Sequence, residues 1–224
     1  RMGPTNRIMQ QQGLRGLYTT TLFMYDAALI RRITPALELG RSFVRAEYQR
    51  SYHPLLMLWR GICAYCAPHP QYRYLFGPVS ISNTYQTVSK TLMIEFLRYH
   101  HTPQEMAELV EPRNPFKVPR KLRKFDARQG YAVFETDDLS DIVADLEPDQ
   151  KGIPVLLRQY LKLGAKLLAF NVDPDFGDCV DGLIVVDMLH PGLAKYFSKD
   201  GRASYLKHHN HTDPLKPGRV AASA

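Results

Sequence analysis

The sequence has little cysteine, no long apolar run and no internal repeat. Only three of its 224 residues are cysteine: Cys63, Cys66 and Cys179. Cys63 and Cys66 form a C-x-x-C inside an apolar run, but no second pair follows. A structural zinc site needs about four ligands, so no metal is expected. On a helix the two thiols share a face with Trp59 and Ile62, which points to buried thiols. The odd count and the lack of a signal peptide point to a reducing cytoplasm. No stretch of about 18 apolar residues occurs, so no segment reads as a membrane span. No nucleic-acid motif appears, and the basic residues crowd into one proline-broken stretch. Nucleic acid is therefore not expected as a partner.

What is present describes a globular protein. The chain is 45% hydrophobic and 23% charged, and it is long enough for one large domain or two small ones with a real core. A net charge of +7 suits an acidic partner, such as an anionic membrane surface or an acidic carrier protein. The chain opens on Arg1 rather than Met, as a piece of a longer chain would.

Residues 1–16 read as a loop or the remnant of a strand. Asp26 to Thr34 suits a short helix, and Ala36 to Val44 a buried strand. Arg45 to His53 is a polar loop closed by Pro54, a favoured opening residue of a helix, and Leu55 to Ala67 has helical periodicity. Tyr72 to Ser82 is a second buried strand interrupted by Gly77-Pro78. Proline cannot donate to a ladder, so one side of that strand should be unpaired near Pro78. Ser82 or Asn83 would cap a helix running to about His101. This order forms a βαβα unit, which favours parallel pairing of the two strands. Residues 112–125 form a basic, proline-broken excursion, with apolar Phe116, Val118, Leu122 and Phe125 that suit an anionic membrane surface. Helices are expected over 137–147 and 153–163. The runs 166–172 and 182–188 read as a hairpin. The predicted domain spans 1–199, and 200–224 reads as a loose polar tail.

The strand 36–44 breaks three rules within four residues. Glu38 and Arg41 put charge where burial is costly, and Gly40 weakens a strand unless it marks a bulge or a close approach. Such violations point to a site. Glu38 and Arg41 have opposite parity, so a bulge at Gly40 is needed to bring both to one side. The two readings are a buried Glu-Arg pair that holds the strand, or a carboxylate that accepts a proton beside an arginine that orients it. The loop entering the helix at Pro54 is a candidate anion site, with Arg45 and Arg50 adding charge, or else an ordinary connection. His100-His101 and the histidines at 208, 209 and 211 do not suggest a metal site.

These residues carry a pattern. Leu37 to Val44 (Leu-Glu-Leu-Gly-Arg-Ser-Phe-Val), Leu55 to Ile62, Tyr74 to Ser82, Pro154 to Ala165 and Phe170 to Gly177 together resemble the GNAT-fold N-acyltransferases that make lyso-ornithine lipid and related N-acyl amino acids, a group also called hemolysin-like. The Glu-x-x-Arg strand is also similar to the distantly related acyl-homoserine lactone synthases. The resemblance covers roughly residues 1–190. It implies an α/β (α+β) GNAT-like fold, a mixed sheet with flanking helices. The strand, helices and strand that normally open this fold would be missing before Arg1.

The resemblance also implies a mechanism. A fatty acyl thioester of acyl carrier protein or coenzyme A would place its pantetheine arm between the splayed strands. The α-amine of an ornithine-like or glycine-like amino acid would attack it, giving a lyso-aminolipid. Glu38 would take the amine proton and Arg41 would bind the amino-acid carboxylate or hold Glu38. Ser42, Phe43, Val44, Arg45, Tyr48, Arg50, Ser51, Ser80 and Ser82 would bind the thioester and pantetheine. Trp59, Phe76 and Gly77 would line or support the acyl pocket. No permanently bound cofactor and no metal are implied. The expected partners are acyl carrier protein, the amino-acid acceptor and an anionic membrane surface on the inner, cytoplasmic side. Two other functions share these residues: O-acylation of a lysolipid or protein hydroxyl, and a non-catalytic basic module that docks on membrane.

Overall fold

The structure, a computed structural model, describes residues 1–42, 44–48, 53–122 and 135–212. A five-stranded mixed sheet forms its centre, in the order β1-β3-β4-β7-β6. The strands are β1 (Met2–Pro4), β3 (Ala36–Leu39), β4 (Tyr74–Ile81), β6 (Lys166–Asp173) and β7 (Cys179–Asp187). β3 and β4 are parallel, as the βαβα order requires, and the other pairings are antiparallel. β2 (Phe23–Tyr25) and β5 (Val110–Pro112) form a separate two-stranded ribbon. The helices are α1 (Thr5–Gln12), α2 (Ala27–Ile33), α3 (His53–Cys66), α4 (Thr87–His100), α5 (Gln104–Ala107), α6 (Thr136–Leu146), α7 (Val155–Lys162) and α8 (Lys199–His208). No helix among the described residues is long and apolar enough to cross a membrane.

Side chains alternate across the sheet and build two cores. One face carries Leu37, Leu39, Leu75, Val79, Ile81, Ile184 and Val186 against Trp59, Phe96 and Leu157 of the helices. The other carries Ala36, Phe76, Leu183 and Val185 against Leu17, Phe23, Leu29 and Ile33. The period of two that places these residues also assigns the polar ones. Glu38, Ser80 and Asp181 share parity with the second group, so the charged side chains of the strands stand on that face.

Local signals explain several boundaries. Asp26 caps α2, accepting a hydrogen bond from the Ala28 N–H at 2.7 Å. Glu135 and Asp138 close a reciprocal capping box on α6. The expected hairpin over 166–188 is present, with Gly177 in the left-handed region at φ 68° in its turn. Cys63 and Cys66 are fully buried on α3 and unlinked, as their helical spacing implies.

Four expectations need correction. Residues 5–12 form helix α1 rather than a loop. Its sequence is too polar to show a stripe, and it is closed by Gly13, whose N–H bonds the Met9 carbonyl. β3 stops at Leu39 instead of running to Val44. α4 begins at Thr87, because Ser82 caps a turn at Thr84 instead. The start of the basic excursion is anchored, since Val110–Pro112 pairs with β2 and the Asn114 N–H donates to Asn171 Oδ1. The rest of the excursion lies partly outside the described residues.

The tail is also not loose over its first half. Arg202, Tyr205 and Leu206, spaced i, i+3 and i+4, are buried under α8. The Arg202 guanidinium donates to the carbonyls of Met188, Leu189 and His190, and the Tyr205 hydroxyl donates to Tyr72 O. Removing that guanidinium strands buried carbonyls. Arg202→Ala should therefore destabilise the fold by about 3 kcal/mol, which thermal or urea unfolding would register. An unchanged midpoint would show that α8 is not part of the folded unit.

Candidate functional site

The parallel ladder of β3 and β4 has three rungs, ending at Glu38 opposite Phe76. Past that point β4 continues its pairing with β7 from Gly77 to Ile81, while β3 ends. The side of β4 that faced β3 therefore has no strand partner beyond Phe76 among the described residues. Pro78 lies in this stretch, where its missing donor breaks no rung to β3. The expected one-sided pairing near Pro78 is what the register shows.

Gly77 is the hinge of this divergence. A Cβ at Gly77 would overlap the Leu39 carbonyl oxygen and lie 3.1 Å from the Leu39 carbonyl carbon. Only glycine admits so close a backbone. The bulge expected at Gly40 is replaced by a different device. Gly40 follows the end of the strand, and it is Arg41 that takes the left-handed conformation, at φ 54°. That residue turns the chain away from β4.

Glu38 is buried at 4% exposure. Its carboxylate accepts hydrogen bonds from the Tyr18 N–H at 3.1 Å, the Thr19 N–H at 2.8 Å and the Thr19 hydroxyl at 2.7 Å. Burying a carboxylate is costly, and these three donors offset it. The predicted Glu38–Arg41 pair is not made. Arg41 is exposed and lies 6.0 Å from the Tyr18 ring centre. Glu38 thus ties the 18–21 segment onto the sheet.

Tyr18 lies beside Arg41 and within electrostatic reach of Asp173, Asp181 and Cys179. Ser80 of β4 donates its hydroxyl to the Asp181 carboxylate of β7 at 2.5 Å. Asp181 also receives the Cys179 thiol at 3.7 Å and is buried at 3% exposure. Burial is the chief cause that raises the Asp181 carboxyl above its ordinary range, and the nearby Asp173 adds to it, against the lowering hydrogen bonds of Ser80 and Cys179. Burial, with Asp181 and Asp173 adding, pushes the Cys179 thiol up to about 11. Burial raises the Tyr18 phenol as well, helped by Asp173 and Asp181 and opposed by Arg41. Tyr18, Cys179, Asp173 and Asp181 thus lie within electrostatic reach of one another.

The other predicted site residues are dispersed. Ser42, Val44, Arg45 and Tyr48 lie on the segment between β3 and α3, mostly exposed. Arg45 is ion-paired with Glu47 at 2.6 Å, so it is not a free anion ligand. Phe43, Arg50 and Ser51 lie outside the described residues. Ser82 bonds Thr84 at the end of β4. Trp59 is core, edge-on to Tyr160 and close to Tyr196, and Phe76 is buried in the second core. The sequence reading missed Tyr18, Thr19 and Asp181. Asp181 carried a signal, as a lone carboxylate in phase with Leu183 and Val185. Tyr18 and Thr19 carried none, since only the fold brings them to Glu38.

Comparison with known proteins agrees with this architecture. Residues 1–60 match the family model described as an acetyltransferase (GNAT) domain. The chain is 28% identical over 185 residues to a protein named glycine N(alpha)-acyltransferase from Bacteroides thetaiotaomicron, covering 76% of this chain and 53% of that one. It is 24% identical over 185 residues to a protein of the same name from Phocaeicola vulgatus, covering 79% and 56%. The chain spans about half the length of the curated relatives it matches. No solved structure matches it significantly. The mixed sheet with flanking helices is a GNAT-like fold, and these likenesses support a GNAT N-acyltransferase.

Two substitutions test the geometry. Gly77→Ala should cost about 1–3 kcal/mol by forcing Leu39 aside, read as a lower unfolding midpoint. A neutral result would refute the close approach. Glu38→Gln replaces an acceptor oxygen with a donor facing N–H groups and should cost about 1–3 kcal/mol. Faster hydrogen exchange at the Tyr18 and Thr19 amides would localise that loss to the 18–21 segment, and unchanged exchange there would refute the tie.

Proposed function

We propose that this chain transfers an acyl group from a thioester of coenzyme A or acyl carrier protein to the α-amine of a small amino acid, glycine-like or ornithine-like. A long acyl chain would make the product a lyso-aminolipid. The observation that carries the reading is the open edge of β4 beyond the Glu38–Phe76 rung. A pantetheine arm has two amides spaced along an extended chain. Laid beside that edge, it finds main-chain groups that no strand among the described residues has taken, much as a peptide adds to a sheet edge. The curated relatives named for glycine acylation support an amine as the acceptor.

The roles of the residues follow from their places. Arg41, exposed beside Tyr18, would receive the carboxylate of the amino acid. Ser42, Val44 and Tyr48, on the approach to α3, would meet the phosphate end of the donor. A main-chain N–H at the strand end would steady the thioester oxygen as charge develops on it. Glu38 would hold the 18–21 segment in place, so Tyr18 stays beside Arg41. The attack is direct and needs no covalent intermediate on the protein. The net charge of +7 would favour an acidic carrier protein and an anionic membrane surface for a lipid product.

Purified full-length protein supplied with palmitoyl-coenzyme A or palmitoyl-acyl carrier protein, and with glycine or ornithine in turn, tests this. Mass spectrometry should find an N-acyl amino acid formed with at least one donor and acceptor pair. Well-folded protein that yields none, or that esterifies only hydroxyls, would overturn it.

A further inference from the structure

The described residues hold one exposed hydroxyl wired to a buried carboxylate at the open edge of β4. Ser80 is exposed, and its hydroxyl hydrogen points to Asp181 behind it at 2.5 Å. Asp181 is buried on the sheet face that also carries Glu38, with no basic side chain paired to it among the described residues. The groups around it are the Cys179 thiol on its own strand, Asp173 on β6 and Ser80 on β4, with Tyr18 and, beside Tyr18, Arg41 nearby. A structural aspartate would be expected to sit in an N-cap or an ion pair. Asp173 is one such, accepting the Asp175 N–H at 3.0 Å. Asp181 does neither, and its named hydrogen bonds come from the Ser80 hydroxyl and the Cys179 thiol.

We infer that Ser80 and Asp181 form the proton relay of acyl transfer, with Ser80 touching the reacting atoms and Asp181 acting through it. This rests on the N-acyl transfer proposed above. The neutral amine attacks the thioester carbonyl, and a C–N bond forms. The Ser80 oxygen takes a proton from the resulting ammonium while passing its own to the Asp181 carboxylate. The tetrahedral carbon then collapses and the C–S bond breaks. The departing thiolate takes a proton from Ser80, which recovers one from Asp181. One proton leaves nitrogen and one reaches sulfur, so amide and thiol form with both side chains restored. Burial raises the proton affinity of the Asp181 carboxylate, which suits it to accept the proton, and the departing thiolate is basic enough to draw one back through Ser80. Glu38 is less suited, because three fixed donors already hold its carboxylate.

The relay predicts a kinetic signature that lost packing would not give. In the wild-type protein with a donor and acceptor that react, Ser80→Ala and Asp181→Asn should each lower kcat about 100-fold or more. KM for both substrates should stay within about twofold. The acidic limb of the kcat/KM profile should vanish in Asp181→Asn, and Ser80→Thr should recover part of the rate. Ser80→Ala takes a donor from the buried Asp181 carboxylate and should lower the unfolding midpoint somewhat, so kcat is read on protein shown to be folded and the pH profile separates the relay from that loss. A wild-type rate and pH profile in Ser80→Ala, or a loss confined to KM, would overturn the relay. If the wild-type protein acylates no amine at all, the functional reading fails rather than the relay alone.

Discussion

The contact between the Leu39 carbonyl and Gly77 is the constraint on which the site depends. Two parallel strands normally continue side by side until a turn separates them. Here the backbones approach so closely that no side chain fits on β4 at that rung. Two residues after Leu39, Arg41 turns away in a left-handed conformation. The divergence is thus fixed by backbone geometry at two adjacent points. The free edge of β4 lies on a strand held along its other side by β7.

Around that edge the two faces of the sheet divide the work. The helical face is almost wholly apolar, with Trp59, Phe96 and Leu157 packed against Leu37, Leu75 and Ile184. The other face is apolar near Phe76 and Leu183 and becomes polar toward Ser80 and Asp181. Glu38 stands between the two regions. Its carboxylate brings the 18–21 segment onto the sheet, beside the second core. Stability and site therefore share one buried hydrogen-bonded group, which explains why a charge is tolerated in so apolar a strand.

Much of the fold was legible in the sequence because period and punctuation agreed. The hairpin of β6 and β7, the helix at Asp26 and the parallel pair around α3 all follow from alternation, capping and order. The polar helix α1 was not legible, because its buried contacts are too few to make a stripe. Helix α8 was partly legible, since Arg202, Tyr205 and Leu206 have helical spacing, but the histidines beside them concealed it. For the site, the rule-breaking triplet in β3 marked the right place and the wrong partnership. Glu38 and Arg41 are three residues apart, yet Glu38 is satisfied from residues 18 and 19, about twenty positions upstream. Contacts of that range, like the reach from Ser80 to Asp181, arise only from the tertiary arrangement.

The pairing of β4 with β7 has a kinetic meaning as well. Tyr74 meets Asp187, and Ser80 meets Asp181 across 101 positions of chain. Closing a loop of that size loses entropy before any rung rewards it, so such pairings form slowly. On a ribosome, β3, α3 and β4 emerge long before β7 exists. Until β7 arrives, β4 beyond its rungs to β3 is an edge on both sides, and that stretch opens with Gly77 and Pro78. Those two residues are poor templates for a passing strand, and the same features that keep that edge open in the finished protein protect the nascent chain from pairing with the wrong neighbour.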